Sequence, residues 1–263
     1  MDNQRMAISQ SLMKDLQSYL SGQECGLLLK AKHIDNVETM HSEAMHLGQY
    51  FEYMATGQLP RNGEIPEPKV SYKGTAKEKL GEPYQRAYLS AMYCKALFNT
   101  LGIEVLSTGE KIAFDKASGT TDVRANWKGR KCIIDLKYTG LLDNKWDERG
   151  WHFDTLEQKD VLMIQAVHYT YIEINRLGED VDFYFFLFSS TNPNDVRIAK
   201  IEIEPLKMEM HKENISRAHH LWNNLIKNDS FKAHGSLLKC ASCPINETCP
   251  SRVDLPEIKT IYY

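Results

Sequence analysis

Cysteine placement is the feature that most restricts how this chain can fold. Six cysteines are present in 263 residues. Cys25 stands near the start, while Cys240, Cys243 and Cys249 lie close together near the end. Three thiols at such short spacing are typical of metal binding, because thiolates are strong ligands for soft and borderline metals. A centre that also used Cys25 would hold the early part of the chain against the late part.

Length and composition are those of an ordinary globular protein. Apolar residues make up 42% and charged residues 25%, and the net charge is -3. No apolar run approaches the roughly 20 residues of a transmembrane helix, and the first residues lack the pattern of a secretion signal. We therefore expect no membrane association and a cytoplasmic location, where cysteines bind metals or are buried. Any contact with nucleic acid would need a local basic patch.

The hydrophobic pattern predicts a sheet with helices around it. Helical spacing predicts helices over residues 40–54, 83–101, 157–177 and 206–228, the first two ended by Gly57 and Gly102. Residues rich in β-branched and aromatic types predict strands over 103–106, 111–114, 121–127, 131–138, 182–188 and 197–203. Residues 57–74 are predicted to form a surface loop. The predicted fold class is α/β, with a mixed central β-sheet flanked by helices.

Two strands in the middle of the chain are predicted to pair as a hairpin. A two-residue turn at Lys128-Gly129 would pair Trp127 with Arg130. The same register places Asp122 directly across from Asp135, with Cβ atoms roughly 4.5–5.5 Å apart. Alternation along the second strand places Asp135 and Lys137 on one face, and an apolar set on the other: Cys132, Ile134, Leu136 and Tyr138.

Facing carboxylates destabilise a sheet unless a cation compensates them. Carboxylate oxygens are ligands that Mg²⁺ and Mn²⁺ prefer, and such an ion can polarise a phosphate and activate a water molecule. Asp122 and Asp135 are therefore candidate metal ligands, with Lys137 beside the attacking water. The alternative is a solvated hairpin whose charged residues have no catalytic role.

These motifs, in this order, resemble the PD-(D/E)xK nuclease superfamily and specifically its RecB-type branch. In that branch a later helix carries Gln-x-x-x-Tyr, which Gln165 and Tyr169 match on one helix face. The resemblance implies a restriction-endonuclease-like core and a supporting role for both side chains at the active site. The family also places a metal-binding histidine four residues after a glycine. Glu52 stands at that position after Gly48, and a shift of one turn would make His46 the ligand instead.

The cysteine layout is similar to that of the iron–sulfur members of this branch, which include CRISPR-associated exonucleases. They use one cysteine before the nuclease core and three after it, so the resemblance implies a [4Fe-4S] cluster on Cys25, Cys240, Cys243 and Cys249. Spacing alone leaves Zn²⁺ open as the alternative. The other two cysteines, Cys94 and Cys132, fall outside the pattern and are predicted to be buried.

The resemblance implies one nuclease domain over residues 1–263, with a helical segment at 1–57, a core at 74–230 and a cysteine-rich tail at 231–263. The implied activity is Mg²⁺- or Mn²⁺-dependent hydrolysis of DNA, as an exonuclease at DNA ends. Two alternatives stay open: a structure-specific endonuclease, and a degenerate nuclease fold that serves as a DNA-binding or assembly subunit. The chain lacks a phosphate-binding Gly-x-x-x-x-Gly-Lys-Ser/Thr motif, so a helicase or recombination partner would be a separate protein.

Overall fold

The chain divides into two compact units in the computed structural model. One comprises Met1–Met40 with Asn214–Tyr263, and the other comprises His41–Glu213. The structure describes residues 7–37, 42–60, 63–71, 79–140, 142, 146–147, 150–151, 156–233, 240 and 243–251. No helix in these ranges is long and apolar enough to cross a membrane. The predicted single domain over 1–263 stays a prediction.

The first unit contains two short helices and the later part of a long one. Helix α1 spans Gln10–Leu20 and begins where the hydroxyl of Ser9 accepts a hydrogen bond from the amide of Leu12 at 3.1 Å. Helix α2 spans Gly26–His33 and starts directly after Cys25. Its His33 ring packs edge-on against Trp222 of the long helix, with ring centroids 6.1 Å apart. Leu12, Leu16 and Leu29 of this unit are buried, as is Trp222.

In the described part of the chain, the second unit contains three further helices and the first part of the long one. The helices are α3 at Glu43–Thr56, α4 at Glu82–Thr100, α5 at Leu156–Leu177 and α6 at Pro205–Asn228. All four predicted helices are confirmed to within a few residues. Gly57 ends α3 as predicted, because its left-handed φ of 78° lets its amide donate to the carbonyl of Tyr53 at 2.7 Å.

A five-stranded mixed sheet lies at the centre of the second unit. Its strands are β3 at Glu104–Phe114, β4 at Ala117–Trp127, β5 at Arg130–Thr139, β8 at Asp182–Ser189 and β9 at Val196–Ile201, in the order β3-β4-β5-β8-β9. Strands β5 and β8 pair in parallel, and α5 makes the crossover between them. The predicted α/β fold class is confirmed.

Two details of the strand prediction are corrected. The strands predicted over 103–106 and 111–114 form one strand, β3 at Glu104–Phe114, because a bulge between Val105 and Ser107 keeps it paired with β4. The predicted loop over 57–74 contains the short strand β1 at Val70–Ser71, which pairs with β2 at Lys79–Leu80. A second two-stranded ribbon joins β6 at Trp146–Asp147 to β7 at Gly150–Trp151.

The β4–β5 hairpin follows the predicted register up to the candidate site. Lys128 and Gly129 both have positive φ, 53° and 77°, as a type I′ turn requires. Five pairs then run from Trp127↔Arg130 to Val123↔Ile134. The ladder stops there, so the predicted Asp122–Asp135 pair does not form.

One apolar core cluster covers the face of this sheet beneath α3 and α4. The other face also buries apolar side chains, among them Ile133 and Phe185. The predicted apolar face of β5 is confirmed, because Cys132, Ile134 and Leu136 are buried there and Tyr138 packs against them. Cys94 and Cys132 are buried as predicted, at 1% and 3% exposure. The opposite face carries Asp135, which is 1% exposed, and contacts α5. The sheet therefore separates an apolar layer from a layer that holds buried charge.

Candidate active site

Asp122 closes the gap where β4 and β5 separate. In an unbroken ladder of this register Leu136 would face Thr121. Instead, the backbone amide of Leu136 donates a hydrogen bond to Oδ2 of Asp122 at 2.8 Å. The carboxylate thus replaces a strand acceptor and is fixed beside the residue that follows Asp135. Although the two aspartates do not pair, this bond brings Asp122 to the same point of the sheet.

Asp135, Lys137 and Gln165 form a closed set of contacts. The ammonium Nζ of Lys137 lies 2.5 Å from Oδ2 of Asp135 and donates to Oε1 of Gln165 at 3.1 Å. The amide Nε2 of Gln165 donates in turn to Oδ1 of Asp135. The structure therefore places these three side chains together, where the sequence motifs predicted them. Gln165 accepts from the lysine and donates to the carboxylate, so it fixes both.

Tyr169 lies one helical turn beyond Gln165 and is 8% exposed. Its ring rests on Gly119 of β4, where an added Cβ would collide with the ring carbons Cε1 and Cδ1. Burial raises the pKa of the tyrosine, and the charges of Asp135 and Asp122 raise it further. The phenol is therefore neutral at physiological pH, and Gly119 is required for the close approach of α5 to the sheet.

Glu52 reaches the same site from α3. Burial raises the pKa of its carboxyl to about 7, the charge of Asp135 adds to the rise, and Lys137 opposes it. The alternative ligand His46 is engaged elsewhere, since its Nδ1 lies 2.7 Å from the hydroxyl of Tyr84. The structure thus brings Glu52, rather than His46, into the field of the two aspartates.

Three carboxyl groups lie within electrostatic range of one ammonium group in this site. Burial raises the pKa of Asp122 well above its usual range, and the charges of Asp135 and Glu52 raise it further. Burial also raises the pKa of Asp135, while Lys137 and Gln165 oppose the rise. One lysine therefore does not compensate all three acids.

Donor chemistry at this site suits a hard divalent cation. Oδ2 of Asp135 is buried and accepts no hydrogen bond, although the ammonium group of Lys137 lies beside it as an ion pair. An acceptor in this state, surrounded by carboxylates that resist ionisation, gains most from a nearby positive ion. Within the described part of the chain, no group of three histidine, cysteine or acidic side chains is close enough together to bind a metal ion.

A ring of four charged side chains next to the site was missed by the sequence analysis. Arg124 binds Glu110 and Glu173, and Arg176 binds the same two acids, with its Nε 2.9 Å from Oε2 of Glu173. Glu173 is 1% exposed. Strand alternation from Asp122 leads to Arg124, and helical spacing from Tyr169 leads to Glu173, so periodicity could have identified both. The ring joins α5 to β3 and β4.

All four candidate cluster cysteines belong to the first unit. Each is a free, partly buried thiol. Burial raises the pKa of Cys243, and the nearby thiols of Cys249, Cys25 and Cys240 raise it further, so these three lie within electrostatic range of Cys243. Beside Cys25, the amide of Gly26 donates to the carbonyl of Lys232 at 2.8 Å. The chain thus brings its early and late cysteines into one region.

Comparison with known proteins identifies the fold. The chain is similar to a crystal structure from Eubacterium rectale described as a "putative exonuclease", with a TM-score of 0.62 and 18% identity over 97% of this chain and 91% of the other. It also matches a phage-related exonuclease from Haemophilus somnus, with a TM-score of 0.38 and 15% identity over 78% and 95% of the two chains. No family model matches the sequence, and no curated protein does.

Proposed function

We propose that this protein is a metal-dependent nuclease that hydrolyses phosphodiester bonds of DNA. The observation that carries the proposal is the closed set of contacts among Asp135, Lys137 and Gln165, beside the carboxylate of Asp122. A carboxylate cluster with an adjacent ammonium group suits the stabilisation of charge on a reacting phosphate. The Eubacterium rectale structure of the same fold bears the description "putative exonuclease", which supports this choice.

Glu52, Asp122 and Asp135 are the residues that would hold Mg²⁺ or Mn²⁺, which when bound polarises the phosphate and activates water. Lys137 remains charged, because the carboxylates of Asp135 and Asp122 keep its pKa raised although burial opposes the rise. It orients the attacking water and neutralises charge on the phosphate. Gln165 holds Lys137 and Asp135 in position, and Tyr169 packs behind them.

DNA ends are the proposed substrate, and exonuclease action is the proposed mode. Support comes from the PD-(D/E)xK and RecB-type motifs in the sequence and from the description of the structural neighbour. A separate helicase or recombination protein is the proposed partner.

The cysteines Cys25, Cys240, Cys243 and Cys249 are proposed to hold a [4Fe-4S] cluster, with Zn²⁺ as the alternative. The electrostatic proximity of the other three to Cys243 and the location of all four in one unit support a shared centre.

A cleavage assay with the full-length protein tests the nuclease function. The substrates are end-labelled linear DNA and a covalently closed circle, each with Mg²⁺, Mn²⁺ or EDTA. We expect metal-dependent shortening of the linear DNA and no nicking of the circle. The variant Asp135→Asn should lose at least about two orders of magnitude in rate. Asp182→Asn is the matched control, since Asp182 is a partly buried acid on the neighbouring strand whose partners are Arg130 and Lys200.

A DNA-binding subunit without catalysis is the second candidate. It is favoured by the position of Lys137 against Oδ2 of Asp135 and by the lack, among the described side chains, of three ligands at one point. Equal inactivity of wild type and Asp135→Asn with Mn²⁺, together with retained DNA binding, would establish it. Nicking of the closed circle would instead indicate a structure-specific endonuclease.

A further inference from the structure

Arg86 stands beside the ends of the two parallel strands of the sheet. Strands β5 and β8 stop together at the pair Thr139↔Ser189, and the amide of Ser190 donates to the carbonyl of Thr139 at 2.9 Å. The Nε of Arg86, on α4, donates to the carbonyl of Ser190 at 3.0 Å. This edge lies two residues, or about 7 Å, beyond Lys137 along β5. Arg86 therefore stands beside the end of the strand that carries Asp135 and Lys137.

The turn that holds Ser190 is rigidly built. The buried hydroxyl of Ser189 accepts hydrogen bonds from the amides of Thr191 at 3.2 Å and Asn192 at 3.1 Å. The carbonyl of Asp195 accepts from the amide of Ser189 at 3.0 Å. Gly140 lies opposite, where an added Cβ would be 3.5 Å from the hydroxyl oxygen of Ser190. The hydroxyl of Ser190 is thus displayed beside a residue that has no side chain.

The other contact of Arg86 is easily exchanged. Its Nη1 lies 2.5 Å from Oε1 of Glu82, whose side chain is 81% exposed. Ion pairs this exposed are worth little, and a second anion can compete for the same guanidinium. The Nη2 atom makes no hydrogen bond to the described residues. Arg86 is therefore held by a backbone carbonyl on one side and open to an incoming acceptor on the other.

We propose that Arg86, with the hydroxyl of Ser190, binds a backbone phosphate of the DNA strand next to the one that is cleaved. A guanidinium is suited to this contact, because its planar fork can donate two hydrogen bonds to phosphate oxygens. In the bound state the phosphate displaces Glu82 from the guanidinium. The contact carries no sequence information and fixes the position of the strand relative to Asp135 and Lys137. The choice of DNA as ligand rests on the proposed function.

DNA binding in EDTA tests the site without any need for cleavage. Fluorescence anisotropy of a labelled oligonucleotide, single-stranded and duplex, is measured with the full-length protein over a series of NaCl concentrations. Arg86→Ala should weaken binding about tenfold and lower the slope of log K against log salt by about 1. Glu82→Gln should tighten binding by up to about fivefold, because it removes the competing carboxylate.

Arg130→Ala is the matched control. Arg130 is an exposed, ion-paired arginine at the other end of β5, and its removal takes away the same charge. Its affinity and salt slope should equal those of wild type. Wild-type binding by Arg86→Ala, or an equal loss in Arg130→Ala, would overturn the phosphate site. If Arg86→Ala does not fold, Glu82→Gln decides alone, and unchanged affinity in that variant overturns the site.

The outcomes separate this inference from the proposed function. Normal binding by Arg86→Ala together with metal-dependent cleavage by wild type removes the phosphate site and leaves the nuclease. Weakened binding by Arg86→Ala without any cleavage by wild type removes the nuclease and leaves the phosphate site.

Discussion

The carboxylate of Asp122 accepts a hydrogen bond from the backbone amide of Leu136, the residue that follows Asp135, at 2.8 Å. This bond replaces a step of the β4–β5 ladder and brings two acids on neighbouring strands to one point. The fold thereby buries an ionisable group at a position where a neutral residue would cost less free energy. Asp122 therefore serves as both a strand acceptor and a candidate ligand.

Replacing Asp122 by asparagine separates these two roles. The amide oxygen of asparagine can still accept from Leu136, and the buried side chain can no longer ionise. We expect Asp122→Asn to raise the thermal stability of the metal-free protein, by about 1 kcal/mol, while it abolishes cleavage. Asp122→Ala loses the acceptor as well and should be less stable than Asp122→Asn. Thermal melts in EDTA check the order, and a less stable Asp122→Asn would contradict it.

Stability of the metal-free protein should depend on pH through Glu52. Burial raises the pKa of Glu52 from 4.5 to about 7. The folded state therefore binds a proton more tightly than the unfolded state, so this contribution to stability is complete at acid pH and is lost as pH rises toward about 7. Denaturant unfolding in EDTA should show a fall of about 3 kcal/mol across this window, since each pKa unit corresponds to about 1.4 kcal/mol. Glu52→Gln should flatten the profile, and an unchanged slope in that variant would show that another group titrates.

Gly119 and Gly48 should respond in opposite ways to alanine. A Cβ at Gly119 collides with the ring of Tyr169, whereas at Gly48 within α3 nothing lies within 4 Å. Gly119→Ala should destabilise the protein by about 1–3 kcal/mol and reduce cleavage, because it pushes α5 and Gln165 away from the sheet. Gly48→Ala should stabilise by up to about 1 kcal/mol through helix propensity. Unfolding curves and rates for both variants provide the measurement, and equal effects would refute the packing argument.

Alanine variants of Cys243 and Cys94 should show whether the terminal cysteines bind a metal or are simply buried. Cys243→Ala should release the bound metal, lower thermal stability by roughly 2 kcal/mol or more, and leave the position of cleavage unchanged. Cys94→Ala removes a thiol from the apolar core and should keep the full metal content. Metal analysis and the absorbance spectrum of anaerobic preparations provide the comparison. Stoichiometric zinc without iron or brown colour would reject the cluster, and no metal in wild type would reject both forms of the centre.

Local patterns predicted most of the fold, because short-range physics decides those features. Gly57 ends α3 since only a residue that tolerates positive φ fits there, and Lys128-Gly129 defines the hairpin register through the turn. The merging of two predicted strands into β3 was missed, because the bulge at Val105 and Ser107 depends on pairing with β4. Such long-range pairing leaves little trace in a single strand.

The candidate site was predicted in its membership and less well in its geometry. Spacing placed Asp135, Lys137 and Gln165 together, since strand alternation and a helical face are both local properties. The predicted strand pairing extended one residue pair too far, to Asp122 and Asp135, because a side-chain hydrogen bond from Asp122 replaces the backbone pairing there. Arg86 has no motif of its own, because its link to Ser190 joins a helix to a turn far along the chain.

A manganese-soaked crystal of the full-length protein tests the central claim most directly, because Mn²⁺ is located by its anomalous scattering. We predict an anomalous peak at coordination distance, roughly 2 Å, from a carboxylate oxygen of Asp122 and another of Asp135. Lys137 should then move away from Oδ2 of Asp135. A well-ordered crystal in which Mn²⁺ binds elsewhere, or in which Lys137 keeps its contact and no peak lies between the two aspartates, would contradict the account.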